Sequence, residues 1–584
     1  MTLPNQKQLN FEKIAAYQKR QFVPEDALLT SLKDVKALYQ ALLGRAINSK
    51  EELERWILDR SEFEAALDQA GSILYIRMTC QTDDKDRAKA YTDFIETIAP
   101  ATKPLDDQLN KRFLKEIERF PIDQERYEIY IREIRADIDL FIEKNVDLQT
   151  KEQLLSQEYQ TVCGAMTVEF EGEEKTLPQM GKYLLETDRA LREQAWRATA
   201  KRRLQDKDKL DDIFDQMLVL RSQIAHNAKC CNYTEYKFRS LHRFDYTPED
   251  CKKYHETVKR LVVPLWASIT ENRKKQMKLD SLRPWDSAVD PLGRAPLKPF
   301  VDVEKLISGC EEIFKKVDAE LGQQFREMAQ MKLLDLASRK GKAPGGYQSA
   351  LDEARKPFIF MNAVGVDGDV RTLLHEAGHA FHGLACAHDP LVDYRHAPME
   401  FNEVASMGME LLADQYLSVF YNYEDAQRSR TTHFEDSVFT LVWVAIIDAF
   451  QHWIYENPKH GRGARQKAWL DIRRQFGGDL IDWQGLEDEQ ASLWQRQLHI
   501  FEVPFYYIEY GIAQLGALQL WLNAKKDSAK ALREYRQGLS FGGSRPLPEL
   551  FKEAGIRFDF SENTIAPLMD AVKDELKRNS CEAS

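Results

Sequence analysis

The chain has 584 residues, a formal net charge of −12 and hydrophobic residues at 43% of its positions. Because its basic residues are interspersed with acids, no cationic stripe is available to neutralise a phosphate backbone, and nucleic acid is not an expected partner. No uninterrupted apolar run of about 18 residues occurs, and the start of the chain lacks the apolar core of a signal peptide. These features predict a cytoplasmic protein without a membrane span.

Helical patterns dominate the chain from its start. Long amphipathic stretches follow one another, strand-like runs are scarce, and Glu, Lys, Leu, Ala, Gln and Arg are abundant. This pattern predicts a mainly α fold. A short hairpin is expected near 166–177, where apolar and polar residues alternate around Gly172. The eight cysteines are irregularly spaced in a large chain, which favours reduced thiols over a disulfide framework.

A strand-like segment follows Pro357. The run from Phe358 to Val364 is apolar, and the proline predicts that this strand lies at the edge of its sheet. An edge strand can bind an extended peptide by strand addition, which uses main-chain amides and makes little demand on side chains.

The segment from His375 to His379 reads His-Glu-Ala-Gly-His. On an α-helix its two histidines lie one turn apart on the same face, so both can direct an imidazole nitrogen at one metal ion. Glu376 lies about 100° around the helix, where its carboxylate can take a proton from a metal-bound water. Asp367 or Asp369 is expected to cap this helix. The spacing predicts a hydrolytic zinc site with two imidazole ligands and a general base.

Such a site needs a third protein ligand and one open position for water. The segment from Pro398 predicts a helix on which Glu403, Glu410 and Asp414 share one face. Because acids on a mostly apolar helix need a cation or hydrogen-bond donors, we expect Glu403 to be the third ligand and Glu410 to hydrogen-bond a ligand imidazole. Gly378 would let this second helix approach closely. The alternative is that these acids form a solvated face.

Three further histidines lie near the candidate ligands. His382 shares the helix face of His375, and we interpret it as a residue that supports the site or the core, since Glu403 already supplies the third donor. His388 and His396 lie in the loop before the second helix. They offer a rival, all-histidine ligand set.

At these residues the chain resembles the oligoendopeptidase F and thimet oligopeptidase family of zinc metallopeptidases. Two phrases carry the resemblance, His-Glu-x-Gly-His-x-x-His at 375–382 and Glu-x-x-Ser at 403–406. Weaker matching phrases lie at 232–236, 283–286, 345–347, 357–362, 504–510 and 542–544. The resemblance is close over roughly residues 200 to 560 and loose over the N-terminal third.

The resemblance implies a two-lobed helical ellipsoid around a deep substrate channel, with a small β-sheet near the zinc helix. It implies one Zn²⁺ ion per chain and short peptides as substrates. Because the resemblance begins near residue 200, we expect an N-terminal helical region at 1–195 and a catalytic zinc-peptidase domain at 196–584. A monomer is the favoured oligomeric state.

The resemblance also implies which residues contact the reacting carbonyl. The family has a histidine and a tyrosine cluster, matched here by His499 and by Tyr506, Tyr507 and Tyr510. Relatives differ in which tyrosine acts, and Ile508 stands where some of them have tyrosine. We carry over His499 and Tyr510, with Tyr507 as a further candidate. Tyr506 is expected to be a core residue.

Together these observations predict a zinc metalloendopeptidase that cleaves internal bonds of short unfolded peptides, with Glu376 as general base and then general acid. Two alternatives remain open. A zinc carboxypeptidase or dipeptidyl carboxypeptidase on a similar scaffold would need a group that grips the terminal carboxylate. A catalytically silent peptide-binding protein is the other alternative, and the presence of Glu376 argues against it because a binding protein needs no base.

Overall fold

The computed structural model describes residues 11, 14–339, 341–343 and 345–581. In chain order, the first α-helices of the described residues are α1 (Leu32–Gly44), α2 (Lys50–Cys80), α3 (Lys85–Arg119), α4 (Gln124–Leu140), α5 (Glu143–Gly164), α6 (Leu177–Met180), α7 (Arg189–Gln205), α8 (Lys207–Asn227), α9 (Tyr233–Ser240), α10 (Pro248–Met277) and α11 (Val303–Val317). The remaining helices are α12 (Ala319–Gln330), α13 (Asp367–Ala385), α14 (Met399–Ala413), α15 (Tyr423–Glu456), α16 (Arg462–Gln475), α17 (Glu487–Ala491), α18 (Leu498–Glu502), α19 (Ile508–Lys526), α20 (Ser528–Ser540), α21 (Leu547–Glu553) and α22 (Glu562–Cys581). The strands are β1 (Thr167–Phe170), β2 (Glu173–Thr176), β3 (Leu334–Ala337), β4 (Tyr347–Leu351) and β5 (Lys356–Ala363).

The mainly α fold class and the small sheet beside the α13 helix are confirmed. The chain divides into two compact units. The first unit comprises Met1–Asp139, Lys298–Ala426 and Ala513–Phe558, and the second comprises Leu140–Leu297, Gln427–Ile512 and Asp559–Ser584. The functional boundary near residue 195 stays a prediction. The first ten residues, on which the expectation of no signal peptide rests, lie outside the described residues.

An aromatic core in the first unit joins α1 to α4. Trp56 and Phe113 are fully buried in it, and the Trp56 indole N–H donates to the Leu42 carbonyl at 3.0 Å. Tyr394, from the loop between α13 and α14, enters the same core and donates its hydroxyl to the Arg126 carbonyl at 2.9 Å. The N-terminal helices therefore anchor the loop that connects the two helices of the candidate site.

The three-stranded sheet of the first unit has the order β3-β5-β4, with β5 parallel to β3 and antiparallel to β4. The prediction that the strand after Pro357 lies at an edge is therefore wrong. Five consecutive residues of β5, from Pro357 to Met361, are buried, and such a continuous apolar run is typical of a strand covered on both faces. Pro357 is tolerated because it stands next to the start of the strand. The edge strand on the side of β5 opposite to β3 is β4.

The second unit contains the β1-β2 hairpin, which is antiparallel with Thr167 opposite Thr176. Its core is organised around Arg221, whose side chain is fully buried. The guanidinium donates to Glu152 at 2.6 Å, to the Tyr455 hydroxyl at 2.8 Å and to the Ile500 carbonyl at 3.0 Å. Because a buried charge must be paired and hydrogen-bonded, these bonds connect α5, α8, α15 and α18.

The helix α15 is, among the described residues, the one long and apolar enough to cross a membrane. Of its most apolar stretch, 72% is buried inside the structure. The core helix of a protein that spans no membrane has the same properties.

Candidate metal centre and its surroundings

The helix α13 presents the His-Glu-x-x-His segment. It begins at Asp367, about two turns before His375. Of the two predicted caps, Asp369 closes the helix start, because its Oδ2 accepts the backbone N–H groups of Val364, Gly365 and Val366 at 2.7–2.9 Å.

The helix α14 brings a third donor to the two imidazoles. His375 Nε2 lies 3.4 Å, and His379 Nε2 3.6 Å, from Glu403 Oε2. The three ligand atoms all lie within 4.8 Å of one another. Ser406 donates its hydroxyl to the same carboxylate oxygen at 3.0 Å and holds it in place. Two imidazole nitrogens and one carboxylate oxygen form a donor set that suits zinc and leaves room for a fourth ligand.

The close approach of α13 and α14 depends on Gly378. A Cβ at this position would lie 2.6 Å from the Ala405 carbonyl oxygen and 2.6 Å from Ser406 Cα. Both atoms belong to the backbone of α14 and cannot move alone. The expectation that this glycine admits the second helix is confirmed.

The acidic stripe of α14 is matched by donors on α13. Glu410 Oε1 lies 2.7 Å from His375 Nδ1. Because a carboxylate can only accept, Nδ1 carries a proton, and Nε2 is the ring nitrogen directed at Glu403. Asp414 forms an ion pair with Arg371, and both side chains are largely buried. The predicted stripe is therefore a structured face of α14 and not a solvated one.

The electrostatics of this cluster favour a cation. Burial disfavours charge on His375, but its hydrogen bonds to Glu403 and Glu410 outweigh burial and raise its pKa well above the usual value. Burial would raise the pKa of Glu403, but His379, His375 and Ser406 outweigh this effect and lower it to about 2. Burial is also the main reason why the pKa of His379 falls to about 4. The Glu403 carboxylate is therefore ionised, and the acids outweigh burial in stabilising positive charge on His375 but not on His379.

Glu376 lies outside the ligand group. It is 7% exposed, and burial raises its pKa to about 7, although His375 and the backbone N–H of Gln348 act in the opposite direction. A Cβ at Gly346 would lie 3.6 Å from Glu376 Oε1. The start of the edge strand β4 therefore borders the candidate base, a neighbourhood that the helical spacing alone did not predict.

The other three histidines lie apart from the ligand atoms. His382 is buried edge-on against Phe401, with ring centroids 5.7 Å apart, and burial lowers its pKa to about 3. His388 Nδ1 lies 3.2 Å from the Ala385 carbonyl oxygen. His396 Nε2 lies 2.8 Å from Asp352 Oδ1. The rival set formed by His388 and His396 is not assembled.

The second unit brings the predicted histidine and tyrosines together. Tyr510 Oη lies 3.5 Å from His499 Nε2. The ring of Tyr507 stands edge-on to the same imidazole, with centroids 4.9 Å apart. Tyr506, expected to be a core residue, is only half-buried and packs against the His499 and Tyr510 rings. The cluster is thus a partly exposed group of hydroxyls around one imidazole.

Two polar residues of this cluster were not predicted from the sequence. The Trp443 indole N–H donates to Gln497 Oε1 at 3.2 Å, so the amide nitrogen of Gln497 faces His499 Nδ1 at 2.9 Å. Because this nitrogen can only donate, His499 accepts at Nδ1 and carries its proton on Nε2. Gln497 stands two residues before His499, but nothing in the sequence indicates that Trp443 on α15 would orient its amide.

The chain is similar in sequence and in fold to known proteins. An oligoendopeptidase F homolog of Borreliella burgdorferi is 24% identical over 300 residues, which is 49% of each chain. This chain spans about half the length of the curated relatives it matches. An X-ray structure of an oligoendopeptidase F is 29% identical with a TM-score of 0.88, and PZ peptidase A with an inhibitor is 27% identical with a TM-score of 0.88. Each match covers 96% of this chain and 99% of the chain in the solved structure.

Family profiles match most of the chain. The profile of the peptidase M3 N-terminal domain matches residues 28–141. The profile of peptidase family M3 itself matches residues 183–569, which include α13, α14 and the His499 cluster. The chain belongs to peptidase family M3.

Proposed function

We propose that the chain is a zinc metalloendopeptidase, an oligoendopeptidase that hydrolyses internal bonds of short unfolded peptides. The observation that carries this proposal is the convergence of His375, His379 and Glu403 within 4.8 Å, with the buried carboxylate of Glu376 beside them. Three protein ligands with a neighbouring base are typical of catalytic rather than structural zinc sites. Family membership supports the same reaction class.

In this proposal His375, His379 and Glu403 hold one Zn²⁺ ion per chain. A bound zinc ion supplies a water of lowered pKa, about 7, and polarises a peptide carbonyl. Glu376 takes the proton from the attacking water and passes it to the leaving amine, as its raised pKa suits a group that both accepts and returns a proton near neutrality. Glu410 orients His375 through Nδ1.

The resemblance assigns charge stabilisation to the His499 cluster, and we propose that Tyr510 and His499 donate to the carbonyl oxygen as it becomes negative. The hydrogen bonds inside the cluster support this role. Gln497 leaves the proton of His499 on Nε2, which therefore donates. Tyr510 Oη lies next to that atom. Tyr507, whose pKa burial raises to about 12, remains the further candidate.

We also propose that the substrate backbone pairs with β4. Because β5 is the central strand, β4 is one of the two strands with an outer edge, and its Gln348 backbone N–H lies close enough to Glu376 to act on the pKa of that carboxyl. Main-chain pairing would align a peptide beside the base with little dependence on side chains.

Cytoplasmic action and a monomeric state belong to the same proposal. None of the seven cysteines with described side chains forms a disulfide, which fits a reducing compartment.

The test combines metal analysis with a quenched fluorescent peptide, assayed with and without a chelator. We expect hydrolysis that is lost on chelation and restored by Zn²⁺. Mass spectrometry of the products from one peptide, free or amidated at its C-terminus, then separates the alternatives. Internal cuts that amidation leaves unchanged support the endopeptidase. Cuts confined to the free C-terminus would make the chain a carboxypeptidase or dipeptidyl carboxypeptidase, and binding without cleavage would make it a silent peptide-binding protein.

A further inference from the structure

A second group of metal-binding side chains lies in the core of the second unit. Cys251 and His255 are one turn apart on α10, and Asp448 and His452 are one turn apart on α15. Residues four apart share one face of a helix, so each helix presents a pair of potential ligands to the other. The ligand atoms of Cys251, Asp448 and His452 all lie within 4.8 Å of one another. We refer to these four residues as the α10–α15 cluster.

The α10–α15 cluster is removed from water. Cys251 and Asp448 are fully buried, His452 is 3% exposed and His255 is 6% exposed. Apolar rings line it, since the Phe505 ring stands edge-on to His452 with centroids 5.1 Å apart. In such surroundings a carboxylate needs a positive partner, because an isolated buried charge is very costly.

Hydrogen bonds within the protein leave this cluster incompletely satisfied. His255 Nε2 lies 2.8 Å from Asp448 Oδ2 and accounts for one carboxylate oxygen. Within the part of the chain that the structure describes, the other oxygen, Asp448 Oδ1, has no hydrogen-bond partner, and neither ring nitrogen of His452 has one. An unsatisfied buried polar group costs about 1–3 kcal/mol. His452 Nε2 nevertheless lies 3.3 Å from Asp448 Oδ2, so its ring is directed at the carboxylate.

We propose that the α10–α15 cluster binds a second metal ion, a zinc-type divalent cation held by Cys251, Asp448 and His452. A thiolate and a carboxylate balance the two positive charges, so the filled site is neutral as well as dry. His255 hydrogen-bonds the Asp448 carboxylate and orients it, as Glu410 does for His375. The ion joins two long helices. Its three protein ligands leave a fourth position, but the cluster is buried and offers no exposed position for a substrate, so its role is structural.

Metal counting tests this proposal without depending on activity. We expect the full chain loaded with Zn²⁺ to contain about two ions and each single-site variant about one. His375→Ala removes the ion held by His375, His379 and Glu403, which we call the α13–α14 centre, and Cys251→Ala removes the ion of the α10–α15 cluster. Cys310→Ala, which truncates another fully buried thiol, is the matched control and keeps both. If the wild type bound one ion and His375→Ala bound none, the proposal would be overturned.

Cobalt spectroscopy gives a second measurement that needs no variant of the α10–α15 cluster itself. The α13–α14 centre has no sulfur ligand, so a thiolate-to-cobalt charge-transfer band in the near ultraviolet reports the α10–α15 cluster. We expect this band in the Co²⁺-loaded wild type, in His375→Ala and in Cys231→Ala, which removes an exposed thiol. Absence of the band in the wild type, or its loss in Cys231→Ala, would show that Cys251 binds no metal. If the band appeared in a wild-type protein that hydrolysed no peptide, the second metal site would be supported and the proposed peptidase activity refuted.

Discussion

The α13–α14 centre and the α10–α15 cluster are built in the same way and differ in their access to water. Each takes a pair of ligands one turn apart on one helix and completes it from a second helix. At the first centre the side chains of His375 and His379 are 23% and 15% exposed. At the second, Cys251 and Asp448 are fully buried. Because a catalytic site must admit a substrate to its open position and a fully buried cluster cannot, exposure separates two roles that ligand spacing alone cannot distinguish.

The neighbouring groups sharpen this contrast. The α13–α14 centre has Glu376, whose burial raises its pKa to about 7, immediately beside the ligands. In the α10–α15 cluster the neighbouring group is His255, which hydrogen-bonds the ligand Asp448 as Glu410 does His375, and aromatic rings enclose the cluster. A base with no task in metal binding is therefore present only where hydrolysis is proposed. Four substitutions test this comparison.

The largest effect is expected for Glu376→Gln. We expect hydrolysis to fall by about 10²–10⁴-fold, because general base catalysis is lost, while the metal content of both centres stays unchanged. Activity on a quenched peptide and metal analysis of the same sample measure the two quantities. Glu304→Gln, which neutralises an exposed acid in the first turn of α11, is the control. Hydrolysis at the wild-type rate in Glu376→Gln would remove the base from the mechanism.

A smaller loss is expected for Tyr510→Phe. Removing one donor to a developing oxyanion typically costs about 10²–10³-fold in turnover, and we expect this loss in kcat with both metal contents unchanged. The Tyr506→Phe variant removes a hydroxyl from the same cluster and serves as the matched control. If Tyr507→Phe lost turnover and Tyr510→Phe did not, the role would pass to Tyr507.

Glu410→Gln is expected to weaken one centre and leave the other intact. Loss of a carboxylate that orients a ligand imidazole lowers metal affinity by about 10–100-fold, so competition with a chelator should strip the α13–α14 centre at lower chelator concentration. The cobalt–thiolate band of the α10–α15 cluster should not change. Equal loss at both centres would mean that the substitution disturbs the whole fold rather than the ligand His375.

The smallest effect is expected for Gly378→Ala, which tests the packing of the two site helices. The added Cβ would meet the α14 backbone at 2.6 Å, and overpacking of this kind costs about 1–3 kcal/mol. Denaturant unfolding of the metal-loaded protein measures the loss. Gly383→Ala on the same helix is the matched control, because its Cβ would meet nothing within 4 Å. Equal stability of the two variants would show that α14 can move away at no cost.

Much of the α13–α14 centre was predictable, because helical geometry relates residues that are close in the sequence. The spacing of His375 and His379 implied a shared face, and the stripe of acids on the next helix indicated Glu403 and Glu410. The position of β5 was not predictable from Pro357, because a proline near the start of a strand is compatible with a central as well as an edge position. The strand order β3-β5-β4, with one strand on each side of β5, decided that its position is central.

The α10–α15 cluster illustrates what local patterns miss. Its two pairs, Cys251 with His255 and Asp448 with His452, were present in the sequence, but pairs four residues apart are common and neither contains a complete ligand set. The two helices lie far apart in the chain, and only their packing brings the pairs together. The orientation of His499 by Gln497 and Trp443 has the same origin.

The sequence by itself determined the helical class and identified the two candidate imidazole ligands, the candidate third carboxylate and the candidate base, because backbone periodicity fixes which side chains share a face. Tertiary structure alone decided which faces meet. It placed β4 rather than β5 at the edge beside Glu376, oriented His499 through a tryptophan on another helix, and buried four ligand-type side chains between α10 and α15. Such contacts depend on the close packing of whole elements, which no local pattern specifies.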